Sequence, residues 1–478
     1  MPLWTSTEIK EATSGEVIGD WHVDGVSIDT RSIVKGDLFV ALNDKRDGHD
    51  FVKAAFEKGA SAALVSHIPL GLDKDAALVI VTDVAKALKN IAHFARRRFH
   101  GKLIAITGSV GKTSTKEMLK ISLKSQGRTH ASVKSYNNHW GVPLTLARMP
   151  ANADYAVIEL GMNQSGEIRE HSLLSKPNVA IITSVSKAHM QFFKDLSEIT
   201  LAKSEIFDGL AKDGVAIVNS DIEHLSIIER TYKKNCDGSF ITIGRKAADW
   251  SLNDIQVNND SICVTAKHND FNFNFKLNSL GEHFAINALA TLAAVNIVTG
   301  NFTTAIKSLN SWRPPSGRGE HIIVKLNNGN PNLYFDLIDD SYNSNPTSLK
   351  AGLILLRNIH NMRNITKEGS GKKIAILGDM LELGSEEIVI HEGISNWQEV
   401  EGITDFYLVG PLMKCLHDAL PDEISKMWFE SSSEVSSFII SAVSSNDVIL
   451  VKGSKSVRMI EVVNKLKNIT SLCLPKEF

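Results

Sequence analysis

Ile104-Ala105-Ile106-Thr107-Gly108-Ser109-Val110-Gly111-Lys112-Thr113-Ser114-Thr115 decides the fold of this chain. A short apolar run enters a glycine loop, passes through Lys-Thr and continues into a helical pattern from near Lys116. That order is strand, phosphate cradle, helix. Backbone N–H groups freed by the glycines and by a helix N-terminus can bind phosphate oxygens. Lys112 can reach the outer phosphates, and Thr113 can offer its hydroxyl to Mg2+. The loop departs from G-x-x-x-x-G-K-[ST], because Ile106 stands where the first glycine would be and Gly108 and Gly111 are three apart. A glycine-rich surface turn is the competing reading. Strand, loop, Lys-Thr and helix together argue against it.

Outward from this loop, apolar strand candidates recur at 102–107, 155–160, 178–184 and 214–219, with helical patterns between some of them. This is the alternation of a mostly parallel, doubly wound sheet. Residues 240–277 hold short alternating runs such as Phe271-Asn272-Phe273-Asn274-Phe275, expected to be antiparallel strands. A long apolar helix is expected from Phe284 to Val298. Before the loop, strands at Asp37–Leu42 and Ala62–Val65 and a helix from Phe51 to Lys58, ended by Gly59, make a smaller α/β unit. Trp312-Arg313-Pro314-Pro315-Ser316-Gly317 reads as a linker. Beyond it, strands at 333–339, 373–377, 406–410 and 448–452 alternate with helical segments. Three domains follow: 1–100, 101–312 and 313–478.

The 478 residues are 43% hydrophobic and 22% charged with a net charge of -2, an ordinary globular composition. Arg96-Arg97-Arg98 reads as a solvated helix end rather than a nucleic-acid site. No apolar run reaches membrane-spanning length, and the N-terminus lacks a signal-peptide layout. Cys236, Cys263, Cys415 and Cys473 lie far apart without C-x-x-C, which fits a reducing cytoplasm and neither a disulfide framework nor a zinc site.

Several residues could carry chemistry. Glu159 ends an apolar run, so it would face the ligand crevice at a strand's C-terminal end and could hold Mg2+; a surface glutamate is the alternative. His189 lies in a loop beyond a strand, functional or merely solvated. Lys203 falls on the apolar stripe of Leu196, Ile199, Ile206, Phe207 and Leu210, where an ammonium must snorkel, pair or change chemically. Asn287 could bond a base edge or be a satisfied core amide. Asp339-Asp340-Ser341-Tyr342-Asn343-Ser344-Asn345-Pro346 closes a strand and opens a helix, which is capping chemistry and also the crevice end of a sheet. Arg318 could lay a cation on a phosphate.

Together these segments resemble the Mur ligases, ATP-dependent amide ligases of bacterial cell-wall synthesis. The resemblance rests on Thr107–Ser114 and on segments spread over nearly the whole chain: Asp29-Thr30-Arg31, Asp47-Gly48-His49, Asn137-Asn138, Glu159-Leu160-Gly161-Met162-Asn163, Ala202–Phe207, Gly281-Glu282-His283, Gly317-Arg318 and Val451–Ser454. It implies a central P-loop domain, a smaller α/β N-terminal domain and a Rossmann-like C-terminal α/β domain. The Asp-Asp-Ser-Tyr-Asn run and the Gly378-Asp379-Met380-Leu381-Glu382-Leu383-Gly384 run point to the member joining D-alanyl-D-alanine to UDP-N-acetylmuramoyl-tripeptide. They point away from the diaminopimelate- or lysine-adding relatives and folylpolyglutamate synthetase.

By that resemblance, Gly108, Ser109, Val110, Gly111, Lys112, Thr113 and Ser114 would bind ATP, with Asn287, Arg318, Asp340 and Asn343 completing the nucleotide site. Thr113 and Glu159 would hold one Mg2+ and His189 a second. Lys203 matches a lysine carbamoylated by CO2 in several members. Ser27, Asp29, Thr30, Arg31, Asp47, Gly48, His49, Asn137 and Asn138 would serve the UDP-sugar substrate. A cytoplasmic monomer without nucleic-acid or membrane partners is expected. The chain departs from the family pattern at Asn43, at Gln164-Ser165, and at Lys455, where the pattern has the bidentate fork of arginine.

Overall fold

The apolar run ahead of the glycine loop is the strand Lys102–Thr107, buried from Leu103 on and third from one edge of a nine-stranded sheet. A computed structural model describes residues 2–73, 75–188, 190–245, 248–258, 260–326, 333–366 and 371–469. In the central sheet, Lys102–Thr107 lies between Val179–Ile182 and Tyr155–Glu159, all parallel. The chain moves outward in both directions from this pair, so the strand order reverses there. At such a switch point the loops leaving the carboxyl ends diverge and open a crevice. Gly108–Gly111 and Glu159 stand at that crevice because each ends one of the two strands.

The run 240–277 differs in part from expectation. Trp250–Val257, Ile262–His268 and Phe271–Leu277 form an antiparallel meander. Phe240–Gly244 instead extends the parallel ladder against Val215–Asn219. It is an inner strand, paired on its other side with the start of Trp250–Val257, and its own residues do not show the direction of its neighbours. The expected long helix is His283–Thr299; Met118, Leu119 and Leu123 of the helix Lys112–Lys124 share its core.

The first unit is a five-stranded sheet in which Gly25–Ser27, Asp37–Val40, Ala62–Val65 and Leu78–Ile80 are parallel and Glu16–Ile18 closes one edge antiparallel. It docks on the central unit through buried Trp4, whose indole N–H donates to the Ala147 carbonyl at 2.8 Å. The arginine run belongs to this contact, which corrects its reading as a solvated helix end. Arg96 donates to the carbonyls of Ser175 and Lys176, and Arg98 reaches Glu8 and the Leu3 carbonyl while lying 3.5 Å over the Trp4 ring. Only Arg97 is exposed. The carbonyls at the end of the helix Glu167–Ser175 and at Leu3 attract these guanidinium groups, a pairing the sequence does not display.

The third unit is a six-stranded sheet with Glu320–Lys325 antiparallel at one edge and the other strands parallel. Val448–Lys452 lies between Tyr334–Asp340 and Lys373–Gly378, so a second switch point puts Asp340 and Lys452 side by side. The proline-rich stretch 312–317 has no helix or strand, as expected of a linker. Cys236, Cys263 and Cys415 are free; Cys473 lies outside the described residues. Among the described residues no helix is long and apolar enough to cross a membrane.

Candidate active site

The carboxyl ends of the central and third sheets face one another across a cavity of about 1120 Å3. Its walls include Gly108–Lys112, Ser114, Asn137, Asn138, Glu159, Lys203 and Asn287 from the central unit, and Arg318, Asp340, Asn343 and Lys452 from the third. Thus most of the residues expected at the nucleotide share one cavity. His189 lies outside the described residues.

The loop's shape follows from its two glycines. Gly108 and Gly111 have φ of 150° and 88°. A Cβ on Gly108 would lie 2.0 Å from Thr183 Oγ1, and one on Gly111 2.5 Å from Asn287 Oδ1. No other residue fits either place. The helix starts at Lys112, one turn earlier than its apolar periodicity suggests. Its first turn is Lys-Thr-Ser, whose polarity hides the helix. The Ser109 and Val110 amides donate to the carbonyl and hydroxyl of Ser184, each at 2.9 Å. These two residues anchor the loop. Among the described residues, the amides of Gly111, Lys112, Thr113 and Ser114 have no protein acceptor and are the ones left to meet an anion.

Lys112 is half-buried and donates to the Gly108 carbonyl. Burial pulls its pKa down to about 8; Glu159 opposes the shift and Arg318 adds to it. Glu159 is fully buried. One carboxylate oxygen accepts from Thr113 Oγ1 at 2.9 Å, the other from Asn137 Nδ2 at 2.7 Å. Hard oxygen donors beside a phosphate loop suit Mg2+. A buried carboxylate with only neutral hydrogen-bond partners also favours a nearby cation. Among the described residues, no group of three His, Cys, Asp or Glu side chains forms a metal site by itself. A metal here would therefore depend on the hydroxyl, on phosphate oxygens and on water.

Lys203 sits on Leu196–Ser204 as expected, but it neither snorkels nor pairs. It is 2% exposed, lines the cavity and has no hydrogen bond or ion pair among the described residues. Burial, with nearby Lys112, holds its pKa well below the ordinary lysine value. Asn287 is buried against Gly111. From the third unit, Arg318 lies 4.1 Å over the Tyr342 ring and donates to Ser135 Oγ at 2.9 Å, crossing between units. Asp340 pairs with Lys452 at 2.6 Å.

The candidates in the first unit do not line this cavity. Asp29 and Arg31 form a forked ion pair at 2.7 Å on the exposed end of the five-stranded sheet. Arg31 holds the Asp29 carboxyl down to about 2. Lys58 donates to the Thr30 carbonyl at 3.0 Å, and Ser27 Oγ donates to the Asp29 carbonyl at 3.2 Å. His49 is buried between Asp47 and Ser66 at 2.6 and 2.9 Å, so it shapes the loop. Gly48 is required because a Cβ would lie 2.4 Å from the Leu42 carbonyl oxygen. Asn138 Oδ1 accepts from the Gly141 amide at 2.9 Å, where the helix Gly141–Ala147 begins.

Three residues escaped the sequence reading. Lys452 ends a buried parallel strand, the same signal that singled out Glu159. Ser135 and Lys116 carry no such signal, since Arg318 and the carbonyls of Ser132 and Lys134 that they bind are remote in sequence.

Fold and site define an α/β protein whose phosphate loop opens on a cavity shared by two of its units. Family models match three consecutive stretches: the Mur ligase family catalytic domain over 22–100, the Mur ligase middle domain over 106–295, and the Mur ligase glutamate ligase domain over 326–455. The chain is 33% identical to the UDP-N-acetylmuramoyl-tripeptide–D-alanyl-D-alanine ligase of Rickettsia prowazekii, covering 97% of this chain and 99% of that protein. It is 32% identical to the Bacillus subtilis ligase of the same name, over 93% of each. Its fold is similar to a crystal structure of MurF from Acinetobacter baumannii, with a TM-score of 0.81, 27% identity and 98% and 99% coverage. The chain belongs to the Mur ligase family.

Proposed function

We propose that this protein is an ATP-dependent amide ligase of peptidoglycan precursor synthesis, joining D-alanyl-D-alanine to UDP-N-acetylmuramoyl-tripeptide and releasing ADP and phosphate. The observation that carries the reading is the shared cavity. A phosphate loop, a buried Glu159 and Lys203, unpaired among the described residues, meet Arg318 and Asp340 of another unit in one cavity. The full-length likeness to ligases of that name supplies the substrates. The cytoplasm is the expected place of action, and a monomer the expected state.

ATP would lie with its phosphates on the amides of Gly111–Ser114 and on Lys112, and its base toward Asn287. Thr113 and Glu159 would hold Mg2+, which when bound offsets phosphate charge; His189 is assigned to a second metal by the family resemblance. A carboxylate oxygen of the tripeptide attacks the γ-phosphorus in line, and ADP departs. Lys112 and the loop amides stabilise the charge on the transferring group. The acyl phosphate is then attacked at carbon by the dipeptide amine, which loses a proton. The tetrahedral intermediate collapses to amide and phosphate. Water would destroy the acyl phosphate, so the site should be enclosed, and Arg318 reaching Ser135 draws the two units together.

Lys203 fits a carbamate. A neutral buried amine attacks CO2, releases a proton and becomes an anion with two oxygen donors, which turns the cost of burying an ammonium into support for a cation. The first unit, with half-buried Asp29 and Thr30 and exposed Arg31 beyond the strand Gly25–Ser27, would hold the UDP-sugar. Domain limits at 100 and 312 fit the gaps between the three sheets.

Phosphate release tests this reading with ATP, Mg2+ and UDP-N-acetylmuramoyl-tripeptide, with and without D-alanyl-D-alanine. Turnover should require both the tripeptide and the dipeptide. Turnover indifferent to the dipeptide would remove the assigned acceptor.

A further inference from the structure

Lys116 is a cation buried without any exposure, on the first turns of the helix Lys112–Lys124. Its ammonium donates to the Ser132 carbonyl at 2.9 Å and the Lys134 carbonyl at 2.6 Å, and it forms an ion pair with Glu117 Oε1 at 2.7 Å. Burying a charge is costly, and an apolar side chain of similar volume would pack there at less cost. The two carbonyls are what the cation gains. They lie two residues apart on a segment that passes through Lys134 at φ 50°, a left-handed conformation rare outside glycine and sustained only where surroundings enforce it.

The segment so held reaches the nucleotide site at three points. Ser132 Oγ accepts from the Glu159 amide at 3.3 Å. Ser135 Oγ stands 3.3 Å from Thr113 Oγ1 and accepts from Arg318 Nη2 at 2.9 Å. Asn137 donates to Glu159 at 2.7 Å. Each contact orients a group expected to hold phosphate or metal, and none of the three can form if the segment turns elsewhere.

We propose that Lys116 is a positioning residue for ATP activation, fixing the 132–137 segment so that Ser135 and Asn137 hold Thr113, Glu159 and Arg318 in place. The inference rests on reading this cavity as an ATP–metal site. Partners that orient metal-holding groups are expected to matter nearly as much as those groups themselves.

The test compares wild type with Lys116→Met by calorimetry, using a non-hydrolysable ATP analogue, adenylyl imidodiphosphate, with Mg2+ and with chelator. The expected result is a loss of about tenfold or more in affinity with Mg2+, with a smaller loss under chelator, where only the Arg318 contact is affected. Hydrogen exchange should speed up in residues 132–137. A variant that melts earlier but keeps its Mg2+-dependent affinity would make Lys116 merely structural and overturn the proposal. A wild type whose affinity ignored Mg2+ would overturn the site reading as well. Should Lys116→Met fail to fold, wild-type exchange decides. The amides of Ser132, Tyr136 and Asn137 should be protected without nucleotide, and free exchange there would refute a segment held in advance.

Discussion

Thr113 Oγ1 donates to Glu159 Oε2 at 2.9 Å, joining the first turn after the phosphate loop to the end of the neighbouring parallel strand. The strand register makes this contact possible. Glu159 pairs with Ile106, so the carboxylate emerges beside the point where the loop begins. The pair offers two hard oxygens at the place where phosphates would gather.

Glu159→Gln keeps the shape and removes the charge: its oxygen can still accept from Asn137, and its NH2 donates to Thr113 Oγ1 where the carboxylate accepted. Turnover should fall by on the order of 10²-fold or more, because metal-assisted charge stabilisation is worth several kcal/mol. The melting temperature should hold or rise, since a buried charge is lost. Phosphate release and a thermal melt, run on the same preparation, check both halves.

Lys203→Ala should lose activity and regain part of it with short carboxylic acids, which can replace a carbamate but not an ammonium. The depressed pKa of Lys203 sets the pH direction. The amine is neutral in the folded protein at pH values where a free lysine is charged, so CO2 capture should persist toward neutral pH. Undiminished activity of the alanine variant would remove the carbamate role.

Two contacts across the central and third units should behave differently. Arg318 is oriented by Tyr342 and Ser135 within the cavity wall, so Arg318→Ala should raise the ATP KM and slow turnover. Lys187 and Glu386 form an exposed rim pair at 2.7 Å. Exposed pairs contribute about 0–1 kcal/mol, so Lys187→Ala should leave stability and turnover nearly unchanged. Steady-state kinetics on the two variants separates them.

Acid should destabilise the protein through buried histidines. His171 is 2% exposed, and burial lowers its pKa from 6.5 to about 4. Above 6.5 it is neutral in both states and contributes nothing to pH dependence. Between 6.5 and 4 the unfolded chain binds a proton that the fold refuses, so stability falls as pH falls, and the loss is complete below 4. At about 1.4 kcal/mol per unit this is at most about 3 kcal/mol. His171→Leu should flatten that part of the stability profile, measured by denaturant unfolding between pH 7 and 4.

Most strands and the phosphate loop were legible because buried parallel strands are short apolar runs and loop chemistry is local. Glu159 and Lys203 were legible for the opposite reason: each is a charge where the local pattern is apolar. What stayed hidden was non-local. The partners of Lys116 lie sixteen and eighteen residues on. Arg96 and Arg98 look solvated until the end of the helix Glu167–Ser175 and the Leu3–Glu8 segment that they bind are in place. The start of the helix at Lys112 was masked by its polar first turn. The parallel pairing of Phe240–Gly244 depends on a neighbour that its own alternation does not name.

The central claim is that ATP activates the tripeptide carboxylate as an acyl phosphate, and oxygen transfer tests it most directly. UDP-N-acetylmuramoyl-tripeptide labelled with 18O in its reacting carboxylate is turned over with ATP and D-alanyl-D-alanine, and the released phosphate is analysed by mass spectrometry. The account predicts one labelled oxygen in the phosphate for each amide formed, because the attacking carboxylate oxygen leaves on phosphorus. Amide formation with unlabelled phosphate would contradict it.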